Sequence, residues 1–206
     1  MKYLSFLFSA LLLGNVLTAQ PVADRAVVPV AVTLNQILRL NIVDGGNVEF
    51  VFNNVADYKA GLVSGTQYQT DFNIASSTPW ALLIYAEDAS FTGNDDPTNS
   101  MSLGYVGFSI VNNGGAHLLD GNTISVVDNA DSQAKILTNA ASTLVGCAVT
   151  TGTSNCAGDV ADNSMRILWQ AGTGADDMIG TSFIDAGIDP DRYTNNVFLD
   201  LITSGI

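Results

Sequence analysis

Apolar and polar positions alternate with period two along much of this chain, the pattern of strands that bury one face. Val28, Val30, Val32 and Leu34 alternate with Pro29, Ala31 and Thr33, which predicts a strand. Pro29 has no N–H, so this strand belongs at a sheet edge or in a free arm. Leu38, Leu40 and Ile42 alternate with Arg39 and Asn41. The turn Asp44-Gly45-Gly46-Asn47 follows, and Val48, Phe50 and Phe52 then share one face of a further strand. The two strands around that turn are expected to pair as a hairpin. Residues 55–65 read either as a short helix with Tyr58 and Leu62 on one face or as a loop broken by Gly61.

Alternation resumes at Tyr68, Thr70, Phe72 and Ile74, and Ser76-Ser77-Thr78-Pro79 punctuates it. Residues 80–86 form a dense apolar strand, expected at a sheet centre, and 88–102 read as one long polar loop. Strands are predicted at 105–111, at 124–127, at 165–170 around Met165, Ile167 and Trp169, and at 197–203. Residues 136–145 carry mixed signals, and 185–192 read as a loop with Pro190. The spacing predicts an all-β fold, an antiparallel β-sandwich (Ig-like or pilin-like) of about nine to eleven strands. A closed barrel is the competing architecture.

The first residues do not fit that pattern. Lys2 precedes an unbroken apolar and small run over 4–13, and Val-Leu-Thr-Ala at 16–19 supplies small and apolar residues where a signal peptidase reads them. Residues 1–19 are therefore expected to be a cleaved signal peptide, since a permanent span needs about 20 apolar residues. Residues 20–206 are expected to form one secreted domain with an exchangeable N-terminal strand at 26–34. No stable membrane span is expected after cleavage.

Charge and composition narrow the partners. The chain has 20 acidic and 7 basic residues, and all the acids except Glu49 and Glu87 are Asp. Asp, Asn, Gly, Ser and Thr favour turns over helix interiors. An acidic chain without a basic stripe is not expected to bind nucleic acid. Cys147 and Cys156 bracket a turn-rich stretch and are expected to form a local disulfide in an oxidising compartment.

Catalytic chemistry finds little support. His117, the one histidine, follows Asn-Asn-Gly-Gly and reads as a solvated loop residue. No Gly-x-Ser-x-Gly elbow is present. No enzyme activity and no cofactor are expected; one histidine and the expected disulfide leave too few ligands for zinc, and calcium is the one metal left open. Three loops could offer hard oxygen ligands: Asn94, Asp95, Asp96 and Asn99; Asp159, Asp162 and Asn163; and Asp185, Asp189 and Asp191. The alternative for each is a set of Asx turns. Trp80 and Trp169 read as core, whereas Tyr58, Tyr68, Tyr105 and Tyr193 are freer candidates for a binding face.

The order of features carries a resemblance. A signal peptide ending near Gln20, an alternating N-terminal strand, an apolar strand opening on Pro79-Trp80 and an alternating terminal strand resemble secreted β-sandwich proteins of bacterial surfaces and, loosely, fimbrial or pilin-type subunits. The segment 200–206 departs from chaperone-assisted pilins in lacking an aromatic. The resemblance implies a non-enzymatic extracellular subunit of a surface filament, joined to identical subunits by strand addition through Val28, Val30, Val32 and Leu34. The alternative is a secreted module that binds a surface glycan or protein.

Overall fold

The computed structural model describes residues 25–63, 65–120, 124–126, 130, 133–147 and 156–204. The expected signal peptide lies outside the described residues. The chain divides into two units, Met1–Leu34 and Asn35–Ile206. In the first, residues 25–34 carry neither helix nor strand. The strand expected there is absent: no ladder among the described residues takes it up, and alternation alone does not make a strand.

The second unit is a mostly β, antiparallel sandwich. Its thirteen described strands form three sheets. Three of them have only two residues, too short to leave a sequence pattern. One sheet joins β1 (Leu38–Asp44), β3 (Gln69–Ser76), β11 (Gly158–Ala171), β7 (Val106–Asn112) and β9 (Lys135–Ile136), in that order, and β2 (Leu62–Val63) also pairs with β11. A second sheet runs β13 (Val197–Thr203), β4 (Trp80–Ala86), β10 (Ser142–Cys147), β8 (Ile124–Val126). A third, small sheet joins β12 (Tyr193–Thr194), β5 (Ser90–Gly93) and β6 (Ser100–Ser102). The stretch expected as one polar loop at 88–102 thus contains a hairpin.

Alternation places the core. Phe72 and Ile74 of β3, and Met165, Ile167 and Trp169 of β11, face inward from the first sheet; Trp80, Leu82 and Ile84 of β4 face them from the second. Burying each such side chain contributes about 1.5–3 kcal/mol. On the outer face of the first sheet, Arg166 and Asp71 lie directly opposite each other and form a two-pronged ion pair. The guanidinium holds the Asp71 carboxyl below the usual carboxylate range.

The chain passes from the first sheet to the second in three residues. Ser76 closes the corner by donating to Thr78 O and accepting from Thr78 N. The start of β1 is tied to the same corner, where Ile37 N donates to Ser77 Oγ and Ser77 N donates to Ile37 O. The hairpin expected around Gly45-Gly46 does not form: β1 pairs with β3 instead, and residues 48–52 belong to no strand. The ambiguous stretch after it holds a six-residue helix, α1 (Val55–Ala60), capped by Asn54 and ended by Gly61 at φ 74°.

Cys147 and Cys156 form the expected disulfide, with Cα atoms 5.5 Å apart. Trp80 packs into this corner, its Nε1 donating to Cys156 O at 3.0 Å. Replacing both cysteines by serine should lower the unfolding free energy by about 2–3 kcal/mol, the loop-closure entropy of so short a loop. Urea denaturation of the oxidised protein and of the C147S/C156S variant, followed by tryptophan fluorescence, measures the difference.

Candidate functional site: an apolar cleft beside the last strand

The two large sheets end on the same side in β1 and β13. Each strand pairs along one edge only among the described residues. The inward row of β13, Val197, Leu199 and Leu201, is only half-buried, as are Leu38 and Leu40 on β1. The sandwich is therefore incompletely closed along this side. A cleft of about 840 Å³ lies here, lined by Leu40 and Ile42, by residues 45–52, by residues 188–196 and by the start of β13.

Residues 47–52 form one wall in an unusual way. Val48, Phe50 and Phe52 alternate into the core as the sequence predicts, and Glu49 and Val51 face out. Yet no backbone group of 47–52 bonds the backbone of another described residue. Side chains hold the wall instead. Phe50 stacks on Tyr68 with ring centroids 4.5 Å apart, and Phe52 meets Phe183 edge-on at 5.0 Å. Glu49 pairs with Arg192 across the cleft at 3.2 Å, an exposed pair worth at most about 1 kcal/mol.

A short polar relay fixes where that wall begins. Trp169 Nε1 donates to Thr70 Oγ1 at 2.9 Å, and Thr70 Oγ1 donates to Gly45 O at 2.7 Å. Gly45 has φ 68°, and a Cβ there would overlap the Gln69 carbonyl. Only glycine fits a left-handed turn so close to another backbone.

The far wall is organised by Asp191. Its carboxylate accepts from the amides of Asn94, Asp95, Asp96 and Arg192 and from Asn99 Nδ2, all within 2.7–3.1 Å. These donors, led by the Asp95 amide, lower its pKa to about 2. The nest binds the β5–β6 turn to the segment before β12. It joins two of the three loops considered for calcium, but both carboxylate oxygens of Asp191 face N–H donors. Asp185 lies elsewhere, bonded to Ser182.

No protein-family model and no curated protein matches this chain.

Other residues singled out in the sequence fall in different places. The calcium candidate at Asp159, Asp162 and Asn163 is part of β11, at an irregularity between Gly158 and Asn163. There Asp162 accepts from Asp159 N, and Asp159 accepts from Ala161 N as in an Asx turn. Asn163 is fully buried. Among the described residues no three His, Cys, Asp or Glu side chains converge as a metal site. His117 is not the solvated residue expected: it is half-buried, with Nδ1 3.0 Å from Asn163 Oδ1 and its carbonyl held by Asn112. Trp80 and Trp169 are core, as expected. Tyr68 and Tyr105 are buried rather than free, and Tyr58 and Tyr193 are half-buried at the cleft.

The strand-exchange candidates stay in the open. Val28, Val30, Val32 and Leu34 are 78%, 84%, 79% and 90% exposed. The sequence did not single out Phe198 and Ile202, which project from the outer face of β13 and are also exposed. Phe198 packs beside Tyr85 at 5.3 Å, and the Tyr85 hydroxyl donates to Asp200 at 2.7 Å. That bond raises the Tyr85 pKa.

Two outcomes test this geometry. Gly45→Ala should lower the unfolding free energy by about 2 kcal/mol or more, the cost of a strained left-handed residue plus the overlap; chemical denaturation reads it. Asp191 has a depressed folded pKa, so its contribution is present above the ordinary Asp value of 3.8 and is lost as pH falls through about 2. The amide resonances of Asn94, Asp95 and Asp96 should therefore titrate together near pH 2 and should lose that transition in D191N.

Proposed function

We propose that this chain is a non-enzymatic, secreted structural subunit of a bacterial surface filament or fimbria-like assembly, joined to identical subunits by strand addition. One observation carries the reading. A segment with one apolar face, residues 26–34, is exposed and outside every sheet, in a chain whose sandwich leaves the outer edges of β1 and β13 without a partner among the described residues. Monomeric proteins normally cover or blunt both features, because apolar surface and free backbone groups recruit other chains.

Charge supports non-covalent joining that depends on conditions. Residues 35–206 have five basic and nineteen acidic residues, a net of −14. Two such bodies repel at low ionic strength, and salt screens that repulsion. Residues 25–34 carry no acid and one base, Arg25. The segment offered to a neighbour is thus the part its acidic body repels least. Secretion fits the disulfide, which persists in oxidising compartments. Among the described residues no helix is long and apolar enough to cross a membrane.

A second reading, a module that binds a glycan or protein, is favoured by the outer face of β13 and β4. Tyr85 and Phe198 lie together there beside the Asp200 carboxylate, the kind of aromatic and acceptor pairing that sugars stack on.

The deciding experiment compares the chain from residue 20 with one lacking residues 20–34, by size-exclusion chromatography and negative-stain microscopy at low and at moderate salt. The longer chain should form linear assemblies, more of them in salt, and the shorter should stay monomeric. Monomers from both would overturn the filament reading. Loss of glycan-array binding in F198A, with both chains monomeric, would establish the second.

A further inference from the structure

We infer that the acceptor for residues 28–34 is the free edge of β13 in a second copy, entered antiparallel with Val28 opposite Thr203 and Leu34 opposite Val197. The inference rests on the strand-addition reading and adds the acceptor strand and the register.

The free groups of β13 can be worked out from its paired side. β13 pairs with β4 from Val197–Ala86 to Thr203–Trp80 without a register shift. Just beyond each end, Glu87 N donates to Asn196 O and Ser204 N donates to Pro79 O. Even-numbered residues therefore bond toward β4. In an antiparallel ladder the bonded residues alternate. The N–H and C=O of Val197, Leu199, Leu201 and Thr203 consequently point away from β4, to the open edge. The side chains of Val197, Leu199 and Leu201 point inward and are half-buried.

The arm supplies the matching set. Pro29 has no N–H, so it belongs in the alternating set that points away from the acceptor. The set that bonds is then Val28, Val30, Val32 and Leu34, four residues against four. Residues directly opposite in a sheet project their side chains to the same face. This register therefore aims Val28, Val30, Val32 and Leu34 inward, beside Leu201, Leu199 and Val197. The missing donor of Pro29 and the apolar alternation are separate features, and both require the same parity. With the other parity the ladder loses a bond at Pro29 and buries Pro29, Ala31 and Thr33.

The rival edge is less suitable. β1 has a register shift between Ile42 and Asp44 and carries two charges, Arg39 and Asp44. Bulges and charges are the usual means of blunting an edge. β13 has no shift, no proline or glycine, and a single charge, Asp200.

Cross-linking between chains tests both the strand and the register. In the inferred pairing Ala31 faces Asp200 as a non-hydrogen-bonded pair on the outer surface, with Cα atoms about 4.5 Å apart. A31C chains and D200C chains, each starting at residue 20, are mixed at moderate salt and oxidised mildly. The two-chain A31C–D200C product should dominate, identified by mass spectrometry of the linked peptides. The same mixture with N41C, in the middle of β1, should give at least tenfold less. Preferential linkage to N41C would overturn the β13 assignment while leaving strand addition standing. Linkage only within a single A31C/D200C chain would overturn the second copy as the occupant. Absence of any linkage, in a protein whose truncation at residue 34 also changes nothing, would overturn both readings together. All three positions lie outside the core, and circular dichroism of each variant verifies the fold.

Discussion

The change of sheet at Ser76–Trp80 is the constraint on which the rest of the molecule depends. Three residues carry the chain from β3 in one layer to β4 in the other, so the two inward rows must face each other from the outset. Ser76 satisfies its own corner, Ser77 ties down the start of β1, and Trp80 fills the space beneath with its indole N–H on the Cys156 carbonyl. β3 then organises β1 and β11, while β4 organises β13 and β10. β1 flanks β3 and β13 flanks β4, and those two outer strands lie on the same side of the sandwich.

What the sequence made legible was burial, and what it hid was pairing. Period two correctly marked β1, β3, the second half of β11 and β13, because a half-buried strand cannot avoid writing that pattern, and a dense apolar run marked β4. The same pattern occurs at residues 48–52, which insert Val48, Phe50 and Phe52 without any ladder, and at residues 28–34, which have no ladder and no burial. Alternation reports which way side chains face; it is silent about whether a neighbouring backbone is present. The short strands β5 and β6 were missed for the opposite reason: their backbones pair while their residues look like a loop.

The Asp191 nest could not have been read from spacing. Apart from the neighbouring Arg192 amide, its donors lie more than ninety positions away in the chain, and an Asp that organises a turn looks the same in sequence as an Asp that holds a cation. The structure separates the two by what faces the oxygens. His117 and Asn163 make the same point, since a pattern of turn residues concealed a bond between a half-buried side chain and a fully buried one. The buried Tyr68 and Tyr105 show the limit for aromatics, whose amphipathic character allows either fate.

In the proposed strand addition each copy gives one arm and receives one on β13, which has a geometric consequence. Such a contact would be heterologous, and its repetition would generate a line or a ring. A line built this way is polar. One terminus of such a line would display an empty β13, the other an unplaced Val28–Leu34, and identical copies would satisfy both only by closing on themselves. Arrest of an open line would therefore call for a different molecule at each end: one that offers a strand and lacks an edge, and one that offers an edge and lacks a strand.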